Sequence, residues 1–280
     1  MSEKKDIMSF FYENALGRII LKPLITAPVS RAMGWLLSKK VSKLYIKKFI
    51  KKNGIVMDDY IPREYASFND FFTRDIIPTR RSFSKESEAL CSPCDSNLLW
   101  FEINKDRIFS IKGINYTLAD LVGEEFSLEE FENGDLLIFR LEATDYHHYA
   151  YFDDCQQGEH RIIDGKFHTV REIAYRNQPI FRENQRAVSL LKTRSFGEVL
   201  EIEVGALFVG KISNNHNSGS FLRGEEKGMF EFGGSTIILA FQKGRISLDE
   251  SIKNRSLAGL ETRLKMGEKI GIKGNYYEKD

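Results

Sequence analysis

The residues with the clearest chemical potential sit in MFEFGGSTIILAFQKG (229–244), where Gly233, Gly234, Ser235 and Thr236 interrupt an otherwise apolar, β-type run. Glycine inside a strand marks a bulge, a bend or a close backbone approach. Three readings of the stretch are physically available. A bulge with local hydroxyl hydrogen bonds is the plainest, and the pattern by itself favours it. A phosphate-binding turn fits poorly, because the Walker pattern wants a lysine after the glycine and then a helix, and TIILAF is a poor helix. The third is nucleophilic: a serine hydroxyl beside a strained Gly-Gly carbonyl and a general base can attack the peptide bond.

Bases for such chemistry are few. Two of the five histidines fall in DYHHY (145–149), after the apolar run LLIFRL. On a strand His147 and His148 point to opposite faces, so at most one serves a given site directly. His168, in KFHTV, lies on another β-type stretch and has a core reading as well; His160 and His216 stand in polar, loop-like surroundings. CSPC (91–94) has zinc or redox spacing, but a tetrahedral site needs four ligands and no second Cys pair exists. Pro93 and Asp95 point instead to a turn, and a carboxylate there can cap the turn or orient a histidine.

Elements able to position these groups follow from composition and periodicity. The chain has 280 residues, 42% hydrophobic and 29% charged, enough for a substantial core. Its net charge of +1 hides an asymmetry: residues 15–52 carry ten basic side chains and no acidic one. In WLLSKKVSKLYIKKFIKKNG (35–54) the spacing predicts a basic amphipathic helix, with Leu37, Val41, Leu44 and Tyr45 on one side, Lys39, Lys40, Lys43 and Lys47 on another, and Asn53-Gly54 as the stop. Pattern alone favours a helix packed on the protein with a solvated lysine face over one lying on an anionic membrane. Nucleic-acid binding is weaker still, since no recognition motif accompanies the charge. No apolar run reaches the roughly 18 residues of a membrane span, and the first residues lack the features of a secretory signal, so a cytoplasmic chain is expected. Three cysteines are too few for a disulfide framework and read as structural thiols. From about residue 98 short β-type runs dominate, namely LLWFEI, RIFSIKG, DLLIFRL, HRIIDG, EVLEIEVGALFVGKIS and TIILAFQKG. Glu201, Ile202, Glu203 and Val204 alternate as in a half-buried strand, and 236–241 is apolar enough to be buried on both faces. The fold class is α+β: an N-terminal helical part at 1–60, then a β-rich, sandwich-like core at 61–280, with their junction at 62–89.

Taken together, YASFNDFFTR (65–74), CSPCD (91–95), FRLEATDYHHY (139–149), FGEVLEIEVGALFVGKI (196–212) and RGEEKGMFEFGGST (223–236) give the chain a resemblance to the phosphatidylserine decarboxylases from roughly residue 11 to 271. The first and last motifs are highly specific as a pair. That resemblance implies a pyruvoyl enzyme that cuts itself between Gly234 and Ser235, into a β chain 1–234 and an α chain 235–280. Ser235 then becomes the pyruvoyl group, which takes the substrate amine as a Schiff base and draws electrons from the departing carboxylate. Phosphatidylserine would become phosphatidylethanolamine and CO2, with no metal or diffusible cofactor.

Residue by residue, Asp95 matches the family's charge-relay aspartate, Ser235 its self-cleaving serine, and His147 the first histidine of DYHRxH, associated with decarboxylation. The second histidine of that motif, assigned as the self-cleavage base, is Ala150 here. Either His147 serves both steps or His168 supplies an auxiliary imidazole; the expected set is Asp95, His147 and Ser235. Lys211, Arg223 and Lys227 lie near the cleavage motif in sequence, without a readable code for the phosphate. Residues 8–52 turn, under this resemblance, into a peripheral anchor on the cytoplasmic face of an anionic membrane. A homodimer of αβ units is compatible with it. A decarboxylase of another phosphoserine-type lipid or serine conjugate, and a non-catalytic lipid-binding relative, are the rival readings.

Overall fold

The computed structural model describes residues 7–123, 126–207, 212–231 and 235–275. The chain opens with helices α1 (Ile7–Glu13), α2 (Ala15–Leu24), α3 (Ala27–Leu37) and α4 (Ile46–Asn53). Asn14 caps α2 by accepting from Leu16 N at 2.9 Å. α1 and α2 meet so closely that a Cβ on Gly17 would lie 1.9 Å from the Phe10 carbonyl oxygen. The single helix expected across 35–54 is broken. α3 ends at Ser38, whose hydroxyl donates to Gly34 O at 2.9 Å, and a 3-10 turn at Lys40–Tyr45 precedes α4. The stop at Gly54 is as expected, with φ +62° in the left-handed region.

A short helix α5 (Phe68–Phe72) lies in the junction, capped by Ser67, which accepts from Asp70 N at 3.1 Å. Strands then run β1 (Ala89–Cys91), β2 (Ser96–Glu102), β3 (Ile108–Ile111), β4 (Ile114–Thr117), β5 (Asp135–Leu141) and β6 (His148–Ala150). They continue as β7 (Cys155–Gln157), β8 (Arg161–Ile163), β9 (Arg186–Thr193), β10 (Gly197–Val204), β11 (Ile212–Asn214) and β12 (Gly219–Phe221). The last are β13 (Glu226–Phe230), β14 (Ser235–Phe241), β15 (Ile246–Leu248), β16 (Thr262–Leu264) and β17 (Lys269–Lys273).

The main sheet has the order β12-β7-β9-β10-β14-β5-β2-β16, with β8 added beside β9. β14 lies in its middle, antiparallel to both β10 and β5. All seven β14 residues are buried, the result of a continuous apolar, β-branched sequence covered on both faces. One face, with Ile138, Ile202, Val204 and Ile238, packs against the helical side, where Tyr12, Leu21 and Ile25 reach it. The other, with Leu137, Phe139, Leu141, Ile237 and Leu239, packs against the β11-β13-β6 and β1-β17-β15 sheets through Tyr149, Phe230 and Ile270. The core is therefore α+β with a layered β part, as the sequence pattern implied.

One strand reading needs correcting. The alternating glutamates of β10 are not on a solvated face: Glu201 and Glu203 are as buried as Ile202 and Val204, because the smaller sheets cover the face they occupy.

Candidate active site

Ser235 is the first residue of β14 and pairs with Leu141, the last residue of β5. Its hydroxyl is fully buried and has no hydrogen-bond partner among the described residues. A buried hydroxyl without a partner carries a desolvation cost, and such groups call for a functional account. Gly233 and Gly234 lie outside the described residues, so the bulge and strain readings of that stretch do too.

His147 immediately precedes β6, and its carbonyl accepts from Phe230 N at 2.9 Å, which fixes it beside the end of β13. Its ring is inaccessible to solvent and lies against Phe72, centroids 4.0 Å apart. Nδ1 is 2.9 Å from the Asp145 carbonyl oxygen, which can only accept, so Nδ1 carries the proton and the Nε2 lone pair is the basic one. This setting is held from several sides. Arg74, wholly buried, donates to Thr144 O at 3.0 Å, Asp145 O at 3.4 Å and the Tyr60 hydroxyl at 2.9 Å. The Asp145 carboxylate takes both arms of Arg263, one at 3.0 Å. The Phe-Phe-Thr-Arg stretch thus acts as the wall and clamp of the His147 loop. His148 is engaged elsewhere, with Nδ1 3.0 Å from Glu226 and its ring stacked on Tyr146.

Asp95 is buried in the turn between β1 and β2, the turn to which Pro93 and Asp95 pointed. It accepts Arg81 Nε and Nη2, both at 2.6 Å, and Met266 N at 2.8 Å. This bidentate charge-assisted fork is the partner that sequence reasoning missed. The Asp95 turn meets β6, where Pro93 O accepts from Ala150 N at 3.0 Å, but the described hydrogen bonds of Asp95 do not include His147.

His168 has both ring nitrogens committed: the Tyr12 hydroxyl is 3.1 Å from Nδ1 and Glu183 is 3.1 Å from Nε2. Burial lowers its pKa, which favours the neutral ring. Asn184 ties its backbone in place, accepting from His168 N and donating to His168 O and Gly205 O. His168 therefore joins α1 to the end of β10.

The cations near the motif are also accounted for. Arg223 donates to Glu86 O, Ser87 O and Asp153, and Lys227 is buried between two glutamates; Lys211 lies outside the described residues. Arginines appear instead at a cavity of about 590 Å3, whose lining includes Arg140, Leu141, Thr144, Thr169, Arg171 and Asn53. Leu141, the register partner of Ser235, puts that cavity at the Ser235 end of the sheet. Arg140 is held by Glu261 at 2.8 and 2.5 Å. Cys91, Cys94 and Cys155 are buried free thiols, and burial raises each pKa, with Cys155 reaching about 12, so they are poor metal ligands.

A sequence profile described as "Phosphatidylserine decarboxylase" matches residues 68–272, a span that holds every group above from Phe72 to Met266. The chain belongs to the phosphatidylserine decarboxylase family. It is 45% identical to phosphatidylserine decarboxylase proenzyme 2 of Clostridium acetobutylicum, over 96% of this chain and 92% of the relative. It is 37% identical to the phosphatidylserine decarboxylase proenzyme of Ruminiclostridium cellulolyticum, over 95% and 90% of the two chains. With the proenzyme of Chlamydia felis the identity is 35%, over 94% and 90%. The decarboxylase-family motifs therefore have physical roles in this fold: SFNDFFTR builds the His147 pocket, CSPCD the Asp95 turn, and EKGMF the strand that leads to Ser235. In that last motif Gly228 is required by space, since a Cβ there would lie 2.4 Å from Ser213 O and 2.9 Å from the Tyr149 hydroxyl.

Proposed function

We propose that this chain is a self-processing, pyruvoyl-dependent phosphatidylserine decarboxylase, cut between Gly234 and Ser235, that yields phosphatidylethanolamine and CO2 at a membrane surface. The observation that carries the reading is Ser235 itself: in a member of this family, the residue after Gly-Gly opens a fully buried central strand, and its hydroxyl has no partner among the described residues. A small carbonyl group in place of Ser235 fits that enclosed position. A pyruvoyl group would supply an electrophilic carbonyl and an electron sink.

The residues around it supply the rest. His147, with Nδ1 occupied by Asp145 O, has the tautomer needed for Nε2 to move the proton of the decarboxylation step. Phe72 covers its ring and keeps bulk water away. Arg171, at the cavity beside Leu141, suits an anionic group of a phosphoserine headgroup, next to Arg140, whose charge Glu261 holds. Asp95, locked by Arg81, orders the turn whose Pro93 carbonyl accepts from Ala150 N of β6. His168 is read as a structural tie.

The helical part supports a peripheral seat on the cytoplasmic membrane face. No helix among the described residues is long and apolar enough to cross a membrane. Yet Leu16, Ile19, Trp35, Val41 and Leu44 are 59–83% exposed, on a segment rich in lysine. An exposed apolar row beside cations matches an anionic lipid surface. Asn53, at the end of α4, also lines the cavity, so the docking helices border the headgroup site.

Intact-mass analysis of freshly expressed protein, with ethanolamine-lipid formation from phosphatidylserine vesicles, tests the whole reading. One persistent chain without activity in a folded protein would sink it. On cleaved protein, His147→Gln is expected to lower turnover about 10²–10⁴-fold; an unchanged rate per cleaved chain removes His147 from the reaction. Leu44→Glu with Trp35→Glu should weaken binding to phosphatidylserine vesicles more than salt alone does, and unaltered co-sedimentation would move the lipid surface elsewhere.

A further inference from the structure

Three fully buried charges lie together outside the groups used so far. Glu201 and Glu203 of β10 both contact the ammonium of Lys227, at 2.8 and 2.5 Å. Taking two carboxylates and one ammonium out of water is costly even when they are paired, and the odd charge adds to it. Burial, partly opposed by Lys227, raises the pKa of Glu201.

Its position is informative. Glu201 pairs with Leu239 and Glu203 with Ile237, so both carboxylates project from the sheet face that carries Leu141 and Ser235. Ser235 is the diagonal neighbour of Glu203 in register, a Cα separation of about 7–8 Å, within reach of a long side chain, and in this structure the two side chains stand without a hydrogen bond to each other. Lys227 reaches the cluster through a bulge, the register of β13 slipping between Glu226 and Gly228. A bulge of this kind re-aims a side chain. It falls beside Ala150, which pairs with Glu226 and stands where the resemblance would put a second histidine.

We propose that Glu203, held by Lys227 and Glu201, accepts the Ser235 hydroxyl proton in the ester-forming step of self-cleavage. This rests on the reading that Gly234–Ser235 is cut. As the proton passes to Glu203, Ser235 Oγ adds to the Gly234 carbonyl carbon; the C–N bond breaks and the proton moves on to the Ser235 nitrogen, leaving an ester and a free amine. Removal of the Ser235 Cα proton by the regenerated carboxylate then breaks the Cβ–Oγ bond and frees Gly234 as a carboxylate. The remaining enamine tautomerises to an imine, and water replaces its nitrogen, which leaves as ammonia. Lys227 holds the Glu203 carboxylate in place without a histidine, at 2.5 Å, while also contacting Glu201.

The test uses full-length wild type, Ser235→Ala, Glu203→Gln, Glu203→Asp, and the triple variant Glu201→Gln, Lys227→Met, Glu203→Gln. Cleavage is followed by intact mass and folding by thermal unfolding. Glu203→Gln is expected to slow cleavage at least about 100-fold, with Glu203→Asp recovering part of the rate. Hydroxylamine, which cuts esters but not amides, should release no 1–234 fragment from Glu203→Gln. Cleavage of a folded Glu203→Gln at the wild-type rate overturns the proposal, as does a hydroxylamine-sensitive ester accumulating in it. If the single variant does not fold, the charge-free triple variant decides: folded and uncut supports the assignment, folded and cut at the wild-type rate overturns it. A wild-type chain that never cuts would instead defeat the functional reading.

Discussion

Ser235→Ala is expected to remain one 280-residue chain of 32.3 kDa, fully inactive and lacking a carbonyl-reactive terminus, while wild type separates into 1–234 and 235–280. The fold should not suffer. The Ser235 hydroxyl is buried without a described partner, so its removal deletes a desolvated polar group and leaves stability equal or higher. A serine retained for packing would behave in the opposite way. Wild-type cleavage should also leave the two chains bound, because β14 is registered with β10 and β5 while β16 and β17 pair with β2 and β1. Mass spectrometry, a carbonyl-reactive label and thermal unfolding give the three readouts. A cut at 234/235 in the alanine variant would remove Ser235 as the nucleophile.

Arg81→Met is expected to be among the most destabilising single substitutions in the chain. Arg81 and Asp95 form a bidentate pair at 2.6 Å, both side chains 5% exposed, and removal of the cation leaves a buried carboxylate whose one remaining donor among the described residues is the Met266 N–H. Breaking such a pair costs about 3–5 kcal/mol, which lowers the unfolding midpoint on the order of 10 °C for a domain of this size. Adding Asp95→Asn should recover a good part of the loss, because the uncompensated charge is then gone. Processing of the double variant separates two roles: if Asp95 matters only as a folded turn, cleavage returns with stability, and if its charge acts on the site, it does not. An unchanged midpoint in Arg81→Met would refute the pairing.

The sequence by itself determined a great deal here. The largely apolar runs at 135–141 and 236–241 required strands, the second buried on both sides, and Asn53-Gly54 required a helix stop, since only a residue at ease with positive φ ends a helix in that way. Spaced motifs identified the family and pointed to Ser235, His147 and Asp95 as groups to examine. They could not reveal what those groups touch. Arg81 lies 14 residues from the carboxylate it binds, and Lys227 more than 20 residues from Glu201 and Glu203, with no periodicity to connect them. Alternating glutamates look solvated in one dimension; only the smaller sheet laid over β10 buries them and obliges them to find a cation. The basic N-terminal stretch likewise read as one helix, but its break at Ser38 and the exposure of Leu44 depend on which faces the core leaves uncovered. Local pattern decides secondary structure because backbone and side-chain preferences are local. Charge pairing, burial and the company Ser235 keeps were settled by strands distant in sequence meeting in one sheet.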